Sequence, residues 1–210
     1  MPSSLTGLHR PLTWSNFTTR EGKPPAPGTH ATAAYTWSSY SEEGIHIEWV
    51  RGSQPARYQL RDSFRVAITF NTTRSWVMSW VSSRPQQFQT DLLNHEQGHY
   101  NITALVSRDY FVDVMLLKLQ TFSSARQGVT ACQDIQRKSV DKIQAIHKLY
   151  DKEAHPEQHA GLSRGPIQQA WDRWFQTAFT QARTPASQSA DGTPHKVRLI
   201  DVLNKNGKSV

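Results

Sequence analysis

The chain contains one pentapeptide whose residue types and spacing suit metal chemistry, His95-Glu96-Gln97-Gly98-His99. Two histidines four residues apart lie on one face of an α-helix, where both imidazoles can bind a single metal ion. Zinc is the metal that this pattern favours. Glu96 projects away from the two histidines, so its carboxylate could take a proton from a water molecule that the metal activates. A metal-dependent hydrolase needs this division of roles.

The residues around the pentapeptide predict that it lies on the inner face of a packed helix. The pentapeptide follows Leu92 and Leu93, and apolar residues continue after it with helical periodicity. The positions that share one face of this helix are His95, His99, Ile102 and Val106. A solvent-exposed helix would not carry apolar residues there, so the context favours a metal site over a chance occurrence of the pentapeptide.

The composition of the whole chain excludes several classes of protein. At 210 residues, one domain with a full core is expected. The formal net charge of +7 comes from scattered Lys and Arg without a long basic run or a Gly-rich phosphate loop, which argues against nucleic-acid binding. Cys132 is the only cysteine, so an internal disulfide and a zinc site of paired cysteines are excluded. Residues 1–20 lack an apolar segment and no membrane span is evident, so we expect a soluble chain without a signal peptide.

The pattern along the chain predicts an α+β fold in which N-terminal antiparallel strands precede long helices. We divide the chain into an extended Pro-rich arm (1–29), one folded domain (30–183), and a linker with a C-terminal tail (184–210). Strands are predicted at 31–40, 44–50, 56–60 and 63–70. Helices are predicted to begin within 75–81 and to cover 85–120, 124–153 and 166–183, with a final strand or tail contact at 195–203.

A catalytic zinc site needs a third protein ligand and one position open for water. A histidine six residues after His99 is excluded, since the chain has Leu105 there, and no glutamate occurs between Glu96 and Glu153. An antiparallel second helix would bring its C-terminal end back to the level of the pentapeptide. The candidate ligands in that region are His147, Asp151, Glu153, His155, Glu157 and His159, of which the pair His155 and His159 is the most indicative.

Five separated motifs resemble, in order and approximate spacing, those of the DUF922 family, bacterial proteins described as secreted zinc-dependent proteases. The motifs are Leu12-Thr13-Trp14-Ser15-Asn16-Phe17, Ser75-Trp76-Val77, the segment from Leu92 to Ile102 with Arg108, Tyr150-Asp151-Lys152-Glu153, and Gln169 with Trp171. The resemblance covers about residues 11–175. It implies a zincin-like α+β domain, bound zinc, peptidase activity, and a secreted or periplasmic location, although the expected lack of a signal peptide departs from that label.

The resemblance also implies which residue completes the metal site. In DUF922 proteins the Tyr-Asp stretch is followed by Glu-Thr, one further residue and His-Gly, and that histidine is the natural third ligand. Here Ala154 stands in place of the Thr, and the histidine lies one residue early as His155 or a few residues late as His159. His159 keeps the better distance to the last of the five motifs. The expected zinc ligands are therefore His95, His99 and His159, with His155 as the alternative to His159.

The leading interpretation is zinc-dependent hydrolysis of a peptide bond in a peptide or protein substrate. Glu96 would act as the general base and return the proton to the leaving amine. Tyr150 is a candidate oxyanion donor or partner of a ligand, and Asp151 is a candidate for fixing the tautomer of a ligand histidine. Capping of the helix is the alternative role for both residues, and for Asp151 it is slightly favoured. His147 is interpreted as a packed core histidine.

Two other interpretations use the same residues. A cell-wall amidase would employ the same site and would suit the basic surface of the chain. A non-catalytic binding or structural module, in which zinc joins two helices, predicts a fourth protein ligand, such as both His155 and His159, and no exchangeable water. The residues identify neither the substrate nor the oligomeric state.

Overall fold

The computed structural model of the protein describes residues 3–24, 32–61, 63–154, 165–181 and 196–209. Within these ranges the strands are β1 (Ser4–Thr6), β2 (Thr18–Arg20), β3 (Ala34–Tyr35), β4 (Ser38–Glu43), β5 (Ile47–Trp49), β6 (Tyr58–Leu60), β7 (Arg65–Phe70) and β8 (Trp76–Met78). The helices are α1 (Gln86–Leu117), α2 (Ala125–Ala154), α3 (Gly165–Thr180) and α4 (Leu199–Lys205). The predicted α+β class, with N-terminal strands followed by helices, is confirmed.

The strand β7 is the centre of a three-stranded sheet with the order β1-β7-β4. Its apolar side chains alternate with the period of two that a half-buried strand requires, and those of Val66, Ile68 and Phe70 are buried. The six-residue strand β4 pairs antiparallel with β7 along its whole length. Since β7 is its only strand partner in the described part of the chain, β4 forms an edge of this sheet.

The described part of the N-terminal segment contributes strands to two sheets. Its strand β1 pairs parallel with β7, and its strand β2 pairs parallel with β8. Leu12 and Phe17 are buried in the same apolar cluster as Phe70 and Tyr100. Residues 1–2 and 25–29 of the predicted arm lie outside the described ranges.

One local prediction is wrong, and another left two alternatives open. The segment 75–81 does not begin a helix: Trp76 to Met78 form β8, and a 3₁₀ turn follows at Ser79–Ser83. The physical reason is pairing with distant segments, because β8 lies between β2 and β3 and overrides the local apolar pattern. For the predicted final strand or tail contact at 195–203, the described residues support the tail contact, because the helix α4 begins at Leu199 and buries Leu199, Val202 and Leu203 in the core.

The helix α1 is the central element of the fold. It covers most of the predicted range 85–120, and five consecutive residues, 102–106, are all buried. A helix that is buried on every side is surrounded by other elements, and α1 contacts β4 and β7 as well as α2, α3 and α4. The helix α2 matches its predicted range of 124–153 within a residue and runs back along α1. This antiparallel return brings the C-terminal half of α2 to the pentapeptide.

Candidate metal centre

His95 and His99 lie on the same face of α1, as their spacing predicts. Their Nε2 atoms are 3.2 Å apart, and the two rings meet edge to face with centroids 4.8 Å apart. His95 is buried, and the side chain of His99 is only 13% exposed. The two Nε2 atoms therefore converge on one point beside the helix, which is the arrangement that a shared metal ion requires.

The third donor at this point is a carboxylate oxygen of Asp151, which α2 supplies. Asp151 Oδ1 lies 3.0 Å from His99 Nε2 and 3.4 Å from His95 Nε2. The ligand atoms of the three residues all lie within 4.8 Å of one another, so the group could hold a metal ion. The side chain of Asp151 is 46% exposed, so the centre is closed on the side of α1 and open on the side of Asp151.

The structure thus places Asp151 in the position of a possible metal ligand, whereas the sequence indicated a supporting role. From the sequence, Asp151 was a candidate ligand by its place near the end of α2, but the roles favoured for it were capping the helix or orienting a ligand histidine. The predicted ligand His159 and its alternative His155 lie outside the described residues. Among the described residues, the group that could hold a metal ion is His95, His99 and Asp151.

The charges of the centre favour a cation. Burial acts to lower the pKa of His99, but its hydrogen bond to Asp151 and the negative charges of Glu96 and Asp151 raise that pKa above its usual value. Burial acts in the opposite direction on Asp151, yet hydrogen bonds from His95 and His99 hold the pKa of its carboxyl well below the usual range. The charges around His99 therefore favour a positive charge at the point where the three ligand atoms converge.

Glu96 lies beside this centre as a buried carboxyl group. Its side chain is 3% exposed, and its Oε2 atom has no hydrogen-bond partner among the described residues. Burial raises the pKa of Glu96 above its usual value, and the opposing effects of His99 and of Thr36, just before β4, do not cancel this shift. A buried polar atom without a partner is unfavourable, so this oxygen is an available acceptor for a hydrogen bond from a bound molecule.

Tyr150 supports His95 from the side opposite the cleft. Its ring stacks on the His95 ring with centroids 4.7 Å apart and an angle of 11° between the planes. Its hydroxyl lies 3.2 Å from the His95 carbonyl oxygen and 2.9 Å from Gln168 Oε1. Of its two predicted roles, this geometry favours that of a partner behind a ligand and lends no support to that of an oxyanion donor.

Gly98 makes the position of Tyr150 possible. A Cβ atom at this residue would overlap the Tyr150 hydroxyl and lie only 2.5 Å from its Cζ atom. The neighbour that approaches α1 at this glycine is a side chain of α2. Glycine within the pentapeptide therefore allows the aromatic ring to lie flat against His95.

His147 contacts the other ring nitrogen of His99. Its Nδ1 atom lies 2.8 Å from His99 Nδ1, and its Nε2 atom lies 3.3 Å from Thr103 Oγ1. Burial and the neighbouring His99 lower the pKa of His147 to about 3. The interpretation of His147 as a core residue missed this contact. A signal for it was present, because His147 and Asp151 are four residues apart on α2 and so share a face, as His95 and His99 do on α1.

The centre opens into a cleft of about 880 Å³ between β4 and α2. Residues 34–42 line one wall without interruption, and the other wall consists of residues of α2 from Gln136 to Asp151. The charged residues among the lining are Glu42, Glu96 and Asp151, and the described lining contains no Lys or Arg. A cleft with this charge lies in a chain whose net charge is +7.

Comparison of the chain with protein-family models, with curated proteins and with solved structures found no match. The resemblance to the DUF922 family and the zincin-like fold therefore stay predictions. None of the described helices is long and apolar enough to cross a membrane.

Proposed function

We propose that this protein is a zinc-dependent metallopeptidase that hydrolyses peptide bonds with Glu96 as general base. The observation that carries the proposal is the position of Glu96, which is buried, lines the cleft and adjoins three converging ligand atoms. A buried carboxyl oxygen without a partner among the described residues costs stability, and a hydrogen bond from a bound water or substrate would relieve that cost. The resemblance of five motifs to a family described as zinc-dependent proteases supports the same reaction.

The ligand set fits zinc. Catalytic zinc sites use three protein ligands of the imidazole and carboxylate type and leave further coordination positions open. Zinc held by His95, His99 and Asp151 would act as a Lewis acid that polarises the scissile carbonyl and makes water more acidic. The exposed side of Asp151 faces the cleft, so a substrate can reach the centre from there.

Glu96 has the properties of a general base. Burial raises its pKa, so its carboxylate holds a proton more strongly than that of an exposed glutamate. Its Oε2 atom would accept the proton of the attacking water and later transfer it to the leaving amine. Tyr150 and His95 pack together and keep the adjacent turn of α1 in place while the proton moves.

The strand β4 offers a binding site for an extended peptide. Consecutive residues of this strand line the cleft, which occurs when the edge of a strand, and not one of its faces, borders the cavity. An edge strand has backbone N–H and C=O groups available, and an extended peptide can pair with them as an additional strand. Such pairing would hold a substrate backbone between β4 and α2, alongside the metal centre.

Replacing Glu96 with Gln tests the proposal. The change keeps the shape of the side chain but removes its basicity, so we expect peptide hydrolysis to fall by about 10²–10⁴-fold. The bound metal should be retained, because Glu96 is not a ligand. Turnover of a peptide library and metal content by elemental analysis are measured on the same samples, with a Glu48→Gln variant, an exposed position on β5, as control.

The result separates the candidate functions. Loss of turnover with full metal content in Glu96→Gln, and wild-type values in Glu48→Gln, would support the peptidase. Full turnover in Glu96→Gln would refute the role of Glu96. A wild-type chain that binds zinc through four protein ligands and cleaves no peptide would instead indicate the structural module. Peptidoglycan peptides in the same library distinguish an amidase that acts on cell walls.

A further inference from the structure

We propose that His147 is a positioning residue of the metal centre, which fixes the tautomer and orientation of His99 and connects it through Thr103 to the strand β4. The inference rests on the proposed function in one respect, that His99 is a metal ligand. The hydrogen-bonded residues His99, His147, Thr103 and Ser38 are called the His147 network below.

The atom through which His99 would bind a metal determines which residue donates in the hydrogen bond between His99 and His147. His99 faces Asp151 and His95 with its Nε2 atom, so this is the nitrogen available to a metal. An imidazole that binds a metal through Nε2 carries its proton on Nδ1 and donates from there. The acceptor 2.8 Å away is His147 Nδ1, which must therefore be unprotonated. With a metal bound at His99 Nε2, the geometry assigns His147 the role of acceptor.

The second hydrogen bond follows from the first. A neutral imidazole that accepts at Nδ1 carries its proton on Nε2, and His147 Nε2 lies 3.3 Å from Thr103 Oγ1. Thr103 is fully buried, so its hydroxyl has no access to bulk solvent. The same oxygen accepts a hydrogen bond of 2.8 Å from Ser38 Oγ. The donors and acceptors are consistent from His99 to Ser38.

The His147 network joins the three elements that enclose the centre. His99 and Thr103 belong to α1, His147 belongs to α2, and Ser38 is the first residue of β4. Since β4 also forms a wall of the cleft, the position of the ligand ring is coupled to the proposed substrate-binding strand. A side chain that only filled space could be replaced by an apolar one of similar volume, whereas the network requires an acceptor at Nδ1.

This difference defines the experiment. The full chain is prepared as wild type, His147→Leu and His147→Asn, where leucine lacks an acceptor and the side-chain oxygen of asparagine can accept from His99. Zinc affinity is measured by competition with a chromophoric chelator, and the absorption spectrum of the cobalt-substituted protein reports ligand geometry. His46→Leu, at an exposed position, removes a histidine outside the centre as the matched control.

We expect His147→Leu to bind zinc about 10–100-fold more weakly, as found when partners of ligand histidines are removed. Its cobalt spectrum should change, whereas His147→Asn should restore most of the affinity and the wild-type spectrum, and His46→Leu should match the wild type. If His147→Leu does not fold, as judged by circular dichroism without metal, Thr103→Val replaces it, because this isosteric change removes the acceptor of His147 Nε2–H. Thr103→Val should also weaken the binding of zinc.

The outcomes separate failure of this inference from failure of the proposed function. Equal zinc affinity and identical cobalt spectra in the wild type, His147→Leu and Thr103→Val would overturn the network while leaving the metal centre intact. Equal losses in His147→Leu and His147→Asn would also overturn it, because packing and not the acceptor would then be responsible. A wild-type chain that binds neither zinc nor cobalt would overturn the metal centre itself, and the network with it.

Discussion

Replacing Gly98 with alanine adds one methyl group at the contact between α1 and Tyr150. The added Cβ atom would overlap the Tyr150 hydroxyl and lie 2.5 Å from Cζ and 2.8 Å from Cε1. Tyr150 is fully buried between His95 and Trp171, so its ring cannot move without disturbing both neighbours. Both the free energy of unfolding and the metal affinity of the protein should therefore respond to this substitution.

The expected loss of stability is a difference between two effects. Excess volume in a packed core costs about 1–3 kcal/mol, and the upper end applies to Gly98→Ala because the neighbouring ring is held on both faces. Alanine in place of glycine within a helix contributes about 0.8–1.0 kcal/mol in the stabilising direction. The net loss is about 2 kcal/mol. For a chain of this size, that corresponds to a fall in Tm of about 4–8 °C.

Gly128→Ala is the matched control, because Gly128 also lies within a helix. A Cβ atom at Gly128 would lie 2.9 Å from Ile47 Cδ1, the far end of a flexible side chain, and 3.0 Å from a ring atom of Phe122. Small movements can relieve both contacts, so this variant should stay within about 1 kcal/mol of the wild type. Urea denaturation of the metal-free proteins gives the stabilities, and chelator competition gives the zinc affinities.

The pair of variants decides whether the contact between Gly98 and Tyr150 has been interpreted correctly. We expect Gly98→Ala to be less stable than Gly128→Ala and to bind zinc more weakly, since a displaced Tyr150 ring shifts His95. In a Tyr150→Leu background the loss caused by Gly98→Ala should shrink, because the contact is gone. A Gly98→Ala protein as stable as Gly128→Ala, with wild-type zinc affinity, would refute this reasoning.

Two further predictions concern groups outside the metal centre. Arg108 is buried, donates to the carbonyl oxygens of Ala178 and Val197, and pairs with Asp109. Arg108→Leu should lower the free energy of unfolding by about 3–5 kcal/mol, because the Asp109 carboxylate, whose side chain is only 13% exposed, loses its charged partner and two carbonyl oxygens lose their donor. Urea denaturation measures this, and a comparable loss in Arg137→Leu, whose ion pair is exposed, would contradict the reasoning, since such pairs contribute about 0–1 kcal/mol. Burial and the nearby Glu42 raise the pKa of the Cys132 thiol, so less of the reactive thiolate is present near pH 8. A disulfide reagent should modify Cys132 much more slowly in the folded protein than in urea, and equal rates would show that the thiol is accessible.

Helices were predicted more accurately than strands. The bounds of α1, α2 and α3 lie close to the predicted 85–120, 124–153 and 166–183, because apolar periodicity and proline positions are local signals. The strand β8 was predicted as the start of a helix, and the parallel pairing of β1 and β2 was missed. Those strands depend on partners far away in the chain, and a short segment carries little information about a distant partner.

The residues of the candidate site likewise divide into those that a local pattern identified and those that depend on distant partners. His95, Glu96 and His99 were identified because their relation is set by the geometry of a single helix. The position of Asp151 at the centre, the contact of His147 with His99, and the packing of Tyr150 on His95 depend on the register between α1 and α2. Packing of apolar side chains along both helices determines that register, and no local pattern encodes it.

The sequence by itself determined that two imidazoles converge beside a carboxylate on a buried helix, since a spacing of four residues has the same consequence in every α-helix. Only the tertiary structure decided which side chains of other elements face these two imidazoles. The antiparallel return of α2 brings Asp151 to the open side of the centre and His147 to the other nitrogen of His99. The edge of β4 became a wall of the cleft because its other edge pairs with β7. These relations arise from packing between segments that lie tens of residues apart in the chain, so they exist only once the chain has folded.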